Sequence, residues 1–460
     1  MCPLTMTMRS KRSSQKGMSK KTLAQWLEHL EQLHPTVMEL GLERVDQVAN
    51  TLGLLPLPMP VVTVAGTNGK GSCVAMLESL LLQCGKSTGS FTSPHLERFN
   101  ERIRVSGQEA SDEDITQALT QIDAARGAIS LTYFEFATLA ALLVFRQHSP
   151  DVVILEVGLG GRLDSTNIVD PDVAVITSID LDHQQYLGDT RDAIGVEKAG
   201  ILRRAVPAVI ADPRPPAALL QRAQEVGADP LLLVGDPWRT EETDAGWKLE
   251  LWQGGAVTRV IGQLPVGPLL PANVGAAAQA ALLLDVRFTD EQFLAALQAA
   301  QPAGRCTEIS HAGCQYVLDV AHNPAAVAKL LQFLQRRPVS GRQYALFSAM
   351  GDKDIAAMLS ACAGVFDAWF LADQPTQQRV APAADIAASL RAVQLEGEHT
   401  DQPTQMAISM SRNLRQALAR AQSVMSAGDR LVVFGSFTTV GSVSALLQTQ
   451  RNRHEAATTP

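Results

Sequence analysis

The 460-residue sequence lacks the features that mark secreted, membrane-spanning or nucleic-acid-binding proteins. Its six cysteines include no C-x-x-C pair, so we expect reduced thiols and a cytoplasmic location. No apolar run approaches the roughly 18 residues of a membrane span. The basic segment 1–21 has none of the apolar stretch of a secretory signal. The formal net charge of −8 argues against nucleic acid and anionic membranes as partners.

The composition is that of an ordinary globular chain, with 46% hydrophobic and 19% charged residues. The length predicts about two or three domains without an internal repeat. The Gly- and Pro-containing stretch 301–305 is typical of a linker. We therefore predict a disordered basic tail at 1–20, domains at 21–301 and 302–448, and a disordered tail at 449–460. Met18 is an alternative start.

Short apolar runs alternate with helical patterns along most of the chain. The runs Val61–Ala65, Asp151–Val157 and Val173–Thr177 contain almost no polar residue, which favours parallel strands buried on both faces. Segment 236–266 instead alternates over short stretches and predicts a small antiparallel patch. The strand–helix rhythm restarts after residue 305. The pattern predicts an α/β fold.

A glycine-rich loop follows the first of these strands. Three glycines and Lys70 precede an apolar helical pattern at Cys73–Gln83. Such glycines let backbone N–H groups converge on phosphate, lysine adds a cation, and Ser72 offers a hydroxyl to Mg²⁺. The spacing is shorter than in the usual G-x-x-x-x-G-K-[ST] pattern, and Gly71 separates Lys70 from Ser72. A plain glycine-rich turn is the alternative, but the order of elements favours a nucleoside triphosphate site.

Polar residues end other apolar strands. Glu156 would lie beside the phosphate loop and suits Mg²⁺, although hydrogen bonding to a loop would also explain it. For His183 the bare chemistry leaves metal binding and an ordinary loop position equally open, since Mg²⁺ prefers oxygen. Asp319 either holds a ribose hydroxyl or caps a helix. Nothing in the residues themselves selects Lys198.

Five segments taken together resemble the folylpolyglutamate synthases of the Mur ligase superfamily, in the bifunctional bacterial form that is also a dihydrofolate synthase. They are Ala65–Ser72, Thr92–Leu96, Glu156–Asp164, Asp319–Pro324 and Gly435–Phe437. The resemblance spans about residues 40–440. Thr438 departs from the family pattern, which has histidine there, and Ser348–Asp354 is an altered family segment.

The resemblance implies a P-loop domain of the Mur ligase central type with a mostly parallel sheet, and a C-terminal Rossmann-like α/β domain. It implies an ATP-dependent ligase in folate biosynthesis and one-carbon metabolism. That enzyme would add L-glutamate to dihydropteroate, and further glutamates to reduced folates, through an acyl phosphate. A monomer in the cytoplasm, without nucleic-acid or membrane partners, is the family's habit.

The resemblance also assigns the site residues, among which Lys70, His183 and a carbamylated Lys198 would be catalytic. The ATP set is Asn68, Gly69, Lys70, Gly71, Ser72, Asn273, Arg305, Asp319 and His322. The Mg²⁺ set is Ser93, Glu156, His183 and Lys198, and the family leaves room for a monovalent cation. The dihydropteroate set is Gly41, Leu42, Thr132, Tyr133, Phe134, Glu135, Leu163, Asp164 and Ser165. Composition alone would make 133–136 the aromatic start of a core helix.

Three other functions would also explain the phosphate loop. A Mur-type ligase for a cell-wall precursor usually has a further N-terminal domain, for which the chain before Val61 is too short. A P-loop kinase or regulatory ATPase would transfer phosphate without needing glutamate. A non-catalytic nucleotide-binding module would bind without releasing ADP.

Overall fold

The computed structural model describes residues 21–34, 39–243, 246–252, 258–302, 304–397 and 407–458. The predicted tail at 1–20 lies outside these residues. Across the described parts of the chain, no helix combines the length and apolar character needed to cross a bilayer.

A large sheet occupies the N-terminal part of the chain. Its strands are β1 (Val61–Ala65), β2 (Thr88–Phe91), β3 (Ile103–Val105), β4 (Gln108–Glu109), β5 (Val152–Glu156), β6 (Val173–Ile176), β7 (Ala208–Ile210), β8 (Leu231–Val234), β9 (Pro237–Thr243), β10 (Gly246–Trp252) and β11 (Thr258–Leu264). Their spatial order is β11-β10-β9-β8-β7-β6-β1-β5-β2-β3-β4. The strands from β2 to β8 in this order are parallel, and both edges are antiparallel.

A smaller sheet follows, with strands β12 (Thr307–His311), β13 (Cys314–Leu318), β14 (Gln343–Phe347), β15 (Ala368–Ala372), β16 (Ala407–Ser411) and β17 (Arg430–Phe434). Their order is β12-β13-β17-β14-β15-β16, and only the β12–β13 pair is antiparallel among these strands. The two mostly parallel sheets confirm the predicted fold class. The exact domain boundaries stay predictions.

Helices cover both sheets. They are α1 (Leu23–Leu33), α2 (Glu43–Thr51), α3 (Lys70–Gln83), α4 (Asp112–Arg126), α5 (Tyr133–His148), α6 (Gln184–Leu187), α7 (Arg191–Lys198), α8 (Ala217–Val226), α9 (Pro271–Leu283), α10 (Asp290–Ala299), α11 (Pro324–Gln335), α12 (Ile355–Ala361), α13 (Ala383–Gly397), α14 (Leu414–Val424) and α15 (Phe437–Thr458).

Strand β5 shows why the apolar runs are continuous. Val153 packs in a core with α4 and α5, whereas the next residue, Ile154, packs in a second core with α3 and α9. Both residues are fully buried because each face of the sheet carries helices. This two-sided burial fixes the central strands, and their carboxyl ends share one edge.

The structure departs from the sequence predictions at the periphery. Segment 236–266 is antiparallel as predicted, but it extends the large sheet through β8 instead of forming a separate patch. Helix α15 continues to Thr458, so the predicted disordered tail at 449–460 is wrong over 449–458. That segment contains Gln, Arg, Glu and Ala, which all favour helix. Strand β12 escaped prediction because it is a largely exposed edge strand with polar residues.

Candidate active site

Three strand ends meet at one edge of the large sheet. Val64 of β1 pairs with Glu156 of β5 on one side and with Val175 of β6 on the other. The loops after β5 and β6 therefore lie on either side of the loop after β1, and Glu156 ends β5 at this edge. In parallel α/β sheets, ligands bind at this carboxyl edge.

The loop after β1 is shaped by Gly69, which precedes the first residue of α3. Its φ of 92° lies in the left-handed region. A Cβ atom there would lie 2.1 Å from Nδ2 of Asn273, so only glycine fits. That Nδ2 is buried and has no hydrogen-bond partner among the described residues. An unpaired buried donor beside a helix N-terminus suits an anionic ligand.

Two lysines meet at a single carbonyl of this loop. Nζ of Lys70 donates to the Gly66 oxygen at 3.0 Å and to the Thr67 oxygen at 3.3 Å. Nζ of Lys198 donates to the same Gly66 oxygen at 2.9 Å. Burial lowers the pKa of Lys70, and burial followed by the charge of Lys70 lowers the pKa of Lys198 to about 7. The loop thus concentrates positive charge where phosphates would lie.

Glu156 faces the same place. Its side chain is buried, and its Oε2 accepts a hydrogen bond from the backbone N–H of Ser93 at 3.1 Å. A Cβ atom on Gly71 would lie 3.7 Å from Oε2, so the carboxylate sits against the first turn of α3. Burial raises the pKa of Glu156, and the nearby charge of Lys70 opposes that rise.

The loop after β6 connects this edge to the second sheet. Oδ1 of Asp182 lies 2.5 Å from Nζ of Lys353, and its Oδ2 lies 3.4 Å from Nε2 of His322. Burial would raise the pKa of Asp182, but the hydrogen bond with His322 and nearby cationic groups lower it overall. His183 follows with a φ of 51°, and burial lowers its pKa to about 4. A ring with this pKa is neutral at pH 7 and keeps a lone pair on one nitrogen.

A second contact crosses the cleft between the loops of the large sheet and those of the smaller sheet, and it joins two side-chain amides. Nδ2 of Asn323 donates to Oδ1 of Asn68 at 3.1 Å, and both residues are buried. Asn323 also caps α11 through the N–H of Ala326, at 2.9 Å. The predicted ATP residue Asn68 therefore meets the second sheet's loop at Asn323, the residue after His322.

Two other predicted ATP residues lie on the second-domain side. The Asp319 carboxylate accepts hydrogen bonds from the Cys306 N–H at 2.9 Å and the Ala321 N–H at 2.8 Å. Arg305 is half-buried, and its charge acts on both Lys70 and Glu156. The geometry thus places Arg305 near the loop and gives Asp319 local backbone partners. Both assignments to ATP stay predictions.

The predicted dihydropteroate residues gather at the start of α5. The Thr132 N–H donates to Oε2 of Glu135 at 2.7 Å, and Oε1 accepts from Nη2 of Arg44 on α2 at 3.1 Å. This ion pair ties the start of α2, with Gly41 and Leu42, to the start of α5. Glu135 itself is occupied as a helix cap, which the resemblance alone did not indicate.

The loop after β5 closes against the same helix. Asp164 accepts from the Leu159 N–H at 2.8 Å, and Ser165 Oγ lies 2.6 Å from Thr138 Oγ1 on α5. A Cβ atom on Gly158 would lie 2.4 Å from Cζ of Phe134, so that ring packs on the loop backbone. The predicted pocket residues are therefore brought together, adjacent to Glu156. Leu163 lies within this loop.

Several contacts of this region escaped the sequence predictions. Asp182 and Lys353 contact each other although 171 residues separate them, and Asn68 and Asn323 are 255 residues apart. A buried arginine, Arg102, also lies near Glu156. The available signal was their position in or beside recognised segments, because Asp182 precedes His183 and Asn323 follows His322.

No group of three or more His, Cys, Asp or Glu side chains arranged to hold a metal occurs among the described residues. A metal at the sheet edge would need oxygen ligands from another source.

Comparison with known proteins agrees with this architecture. The family model of the Mur ligase middle domain matches residues 64–234, and that of the Mur ligase glutamate ligase domain matches 304–437. The first match contains the phosphate loop and Glu156, and the second contains Asn323 and Lys353.

Individual relatives cover nearly the whole chain. A dihydrofolate synthase/folylpolyglutamate synthase of Escherichia coli is 41% identical over 94% of this chain and 96% of its own length. One from Haemophilus influenzae is 40% identical over 75% of this chain and 82% of its own length.

Solved structures extend the similarity to three dimensions. E. coli FolC in complex with DHPP and ADP has a TM-score of 0.85 at 40% identity, over 94% of this chain and 99% of that one. The Yersinia pestis bifunctional enzyme with AMPPNP and Mn has a TM-score of 0.83 at 40% identity, over 93% and 98%. The chain therefore belongs to the Mur ligase family, within its dihydrofolate synthase/folylpolyglutamate synthase group.

Proposed function

We propose that this protein is an ATP-dependent ligase that joins the amino group of L-glutamate to the carboxylate of dihydropteroate or of a reduced folate. One observation carries the proposal. The phosphate loop with Lys70 and the Glu156 carboxylate lie at one edge of the large sheet. Lys353, from the second domain, reaches that edge by pairing with Asp182 in the loop after β6. Such a cleft suits a reaction that must bring three substrates together.

The relatives support the choice of substrates. The E. coli and H. influenzae relatives carry both activities in their names. Solved relatives contain DHPP with ADP in one case, and Mn, AMPPNP and L-glutamate in another. We extend these ligands to the present chain because the residues at the sheet edge offer matching chemistry.

ATP would lie on the loop after β1. The N-terminus of α3 and Lys70 would receive the phosphates, since helix dipole and ammonium both favour negative charge there. The unpaired Nδ2 of Asn273 would donate to a phosphate oxygen from the opposite side of Gly69. Arg305, Asp319 and His322 would complete the site from the second sheet.

The donors fit a bound Mg²⁺. Mg²⁺ usually keeps several waters and takes one or two carboxylates together with substrate phosphates, so a complete protein cage is unnecessary. A buried Glu156 against the first turn of α3 supplies such a carboxylate, with Ser93 and the neutral His183 as further donors. When bound, the ion would neutralise charge on the phosphates.

The residues would serve a two-step condensation. A carboxylate oxygen of the acid attacks the γ-phosphorus, the bond to the bridging oxygen breaks, and ADP leaves. Lys70 would stabilise the charge on the transferring group. The glutamate nitrogen then attacks the acyl carbon, and the departing phosphate takes up the proton that the nitrogen loses. Closure of the cleft would protect the acyl phosphate from water.

One assay tests this function against its rivals. ADP release is measured with dihydropteroate, tetrahydrofolate or neither, each with and without L-glutamate. The proposal predicts release that depends on both the pteroate-type acid and glutamate, with one amide formed per ADP. Release without glutamate dependence would support a kinase or regulatory ATPase, and binding without release would support a nucleotide-binding module.

We also propose that Lys198 reacts with CO₂ to form a carbamate, which would turn a cation into an anionic ligand for the metal site. Only a neutral amine attacks CO₂. Burial lowers the pKa of Lys198 to about 7, so much of this amine is neutral near physiological pH. The carbamate would also relieve the repulsion between Lys198 and Lys70.

Lys198→Ala is expected to lose activity by roughly 100-fold, a loss comparable to that of other metal-site partners. Acetate should restore part of it by occupying the vacated space as a carboxylate. The control is Lys248→Ala on β10, where the lysine is half-buried and pairs with Glu241; its activity should match that of wild type with and without acetate. Carbon-13 NMR of wild type in labelled bicarbonate should show a carbamate signal that Lys198→Ala lacks, and no such signal would contradict the modification.

A further inference from the structure

We propose that Arg102 binds the reacting carboxylate of the acid substrate and that His95 positions the Arg102 guanidinium for this task. The inference rests on the proposed ligase function and assigns a residue to its least defined step, capture of the acid. Both residues flank the turn after β2, in the polar stretch 92–102 that also contains Ser93.

Arg102 is a buried cation without a counterion in contact. The residue is 8% exposed, and within the described chain no carboxylate forms an ion pair with it. Its one side-chain hydrogen bond among these residues runs from Nε to Nδ1 of His95, at 2.7 Å. A buried guanidinium left this way is costly unless a ligand completes it.

Two other arginines of this chain use their Nη groups within the protein, although the Nε of each has no partner among the described residues. Arg430, with 2% exposure, donates to Gln343, to Gln315 and to the Arg337 carbonyl. Arg44 pairs with Glu135 at 3.1 Å. Within the described parts of the chain, no hydrogen bond engages either Nη group of Arg102, so both remain available to a ligand.

The guanidinium lies near two aromatic rings beside the predicted dihydropteroate residues, and near the Glu156 carboxylate that is proposed to bind the metal. Its carbon is 5.6 Å from the ring centre of Tyr133 and 5.8 Å from that of Phe99. Glu156 and Glu101 are near enough for their charges to act on it. Glu101, however, is held by the N–H groups of Leu96, Glu97 and Arg98, at 2.6–2.7 Å.

His95 fixes the guanidinium through its acceptor nitrogen. An imidazole that accepts at Nδ1 must be neutral and carry its proton on Nε2. Because Nε of Arg102 is engaged, the planar fork of Nη1 and Nη2 keeps one orientation.

An aromatic carboxylate matches this arrangement. The aromatic ring would pack beside Tyr133 and Phe99, and its carboxylate would meet the arginine fork in bidentate geometry. The same carboxylate would then lie close to Glu156, beside the phosphate loop. Arg102 would thus hold the acid group where phosphoryl transfer takes place.

Direct binding measurements test the assignment without requiring turnover. Calorimetric affinities are compared for pteroic acid and its carboxamide, in the presence of AMPPNP and Mg²⁺. Wild type should bind the acid roughly 10-fold or more tightly than the amide, as a charge-assisted bidentate contact implies. Arg102→Gln should bind both alike, with unchanged AMPPNP affinity. Arg104→Gln, whose arginine already pairs with Glu78, should keep wild-type discrimination.

A second pair of variants probes the positioning role. His95→Gln keeps an acceptor for Nε and should retain the preference for the acid, whereas His95→Leu should lose most of it. Arg102→Lys keeps the charge, and should bind the acid more weakly than wild type but better than Arg102→Gln. This variant also serves if Arg102→Gln does not fold.

The outcomes separate the inference from the function on which it rests. If wild type forms the amide but Arg102→Gln and Arg102→Lys still prefer the acid to the carboxamide as strongly as wild type, the assignment of Arg102 is overturned. If wild type itself shows no preference for the acid over the amide, the assignment also fails. If wild type never forms an amide, the proposed function fails first.

Discussion

Lys70→Ala is expected to reduce glutamate-dependent ADP release by at least about 10³-fold, the scale seen when a cation that stabilises a transferring phosphoryl group is removed. Nζ of Lys70 now donates to the Gly66 and Thr67 carbonyls, so the ammonium already lies inside the loop that would hold the γ-phosphate. The charge on the transferring phosphoryl group would lose its nearest protein cation. Steady-state ADP release with saturating substrates provides the measurement.

Folding must be intact for this result to count. Lys70→Ala removes a buried ammonium with a lowered pKa, so we expect the thermal unfolding midpoint to stay the same or to rise. Lys86→Ala, at the exposed position after α3, is the matched control and should keep full activity. Turnover of a folded Lys70→Ala protein within tenfold of wild type would refute the role of the loop.

Glu156→Gln is expected to lower kcat by roughly 10²- to 10³-fold and to raise the Mg²⁺ concentration needed for half-maximal activity. The substitution keeps the shape of the side chain and its acceptor for the Ser93 N–H, but it removes the negative charge. Burial raises the pKa of Glu156, so its ionised form is costly when no cation lies beside it. Without Mg²⁺, the Glu156→Gln protein should therefore be no less stable than wild type.

A Mg²⁺ titration of activity, together with a Mg²⁺-dependent shift of the unfolding midpoint in the presence of AMPPNP, measures this effect. Wild type should gain stability from the metal, and Glu156→Gln should gain much less. Glu225→Gln, an exposed carboxylate on α8, provides the control. An unchanged Mg²⁺ requirement in Glu156→Gln would contradict the assignment of Glu156 to the metal.

The predictable part of the site follows from one topological rule. The apolar run Val61–Ala65 is followed by Gly66, and the run Asp151–Val157 has Glu156 next to its end. Buried parallel strands place their carboxyl ends together, so the phosphate loop and the carboxylate had to meet. The same reasoning placed His183 beside them, but left its chemistry open, and the assignment of Lys198 came only from family resemblance.

Contacts across the cleft were beyond such reasoning. Asp182 meets Lys353, and Asn68 meets Asn323, only because the second sheet docks against the first. No local pattern encodes that docking. Arg102 was hidden for another reason, since an arginine in a polar stretch normally lies in solvent and its burial depends on Tyr133 and Phe99.

Oxygen transfer from the acid to phosphate tests the central claim most directly. Dihydropteroate labelled with ¹⁸O in both carboxylate oxygens is incubated with the enzyme, ATP, Mg²⁺ and L-glutamate. Activation as an acyl phosphate predicts one labelled oxygen in each inorganic phosphate released and one retained in the new amide. Amide formation with unlabelled phosphate, or phosphate release without any amide, would contradict the account.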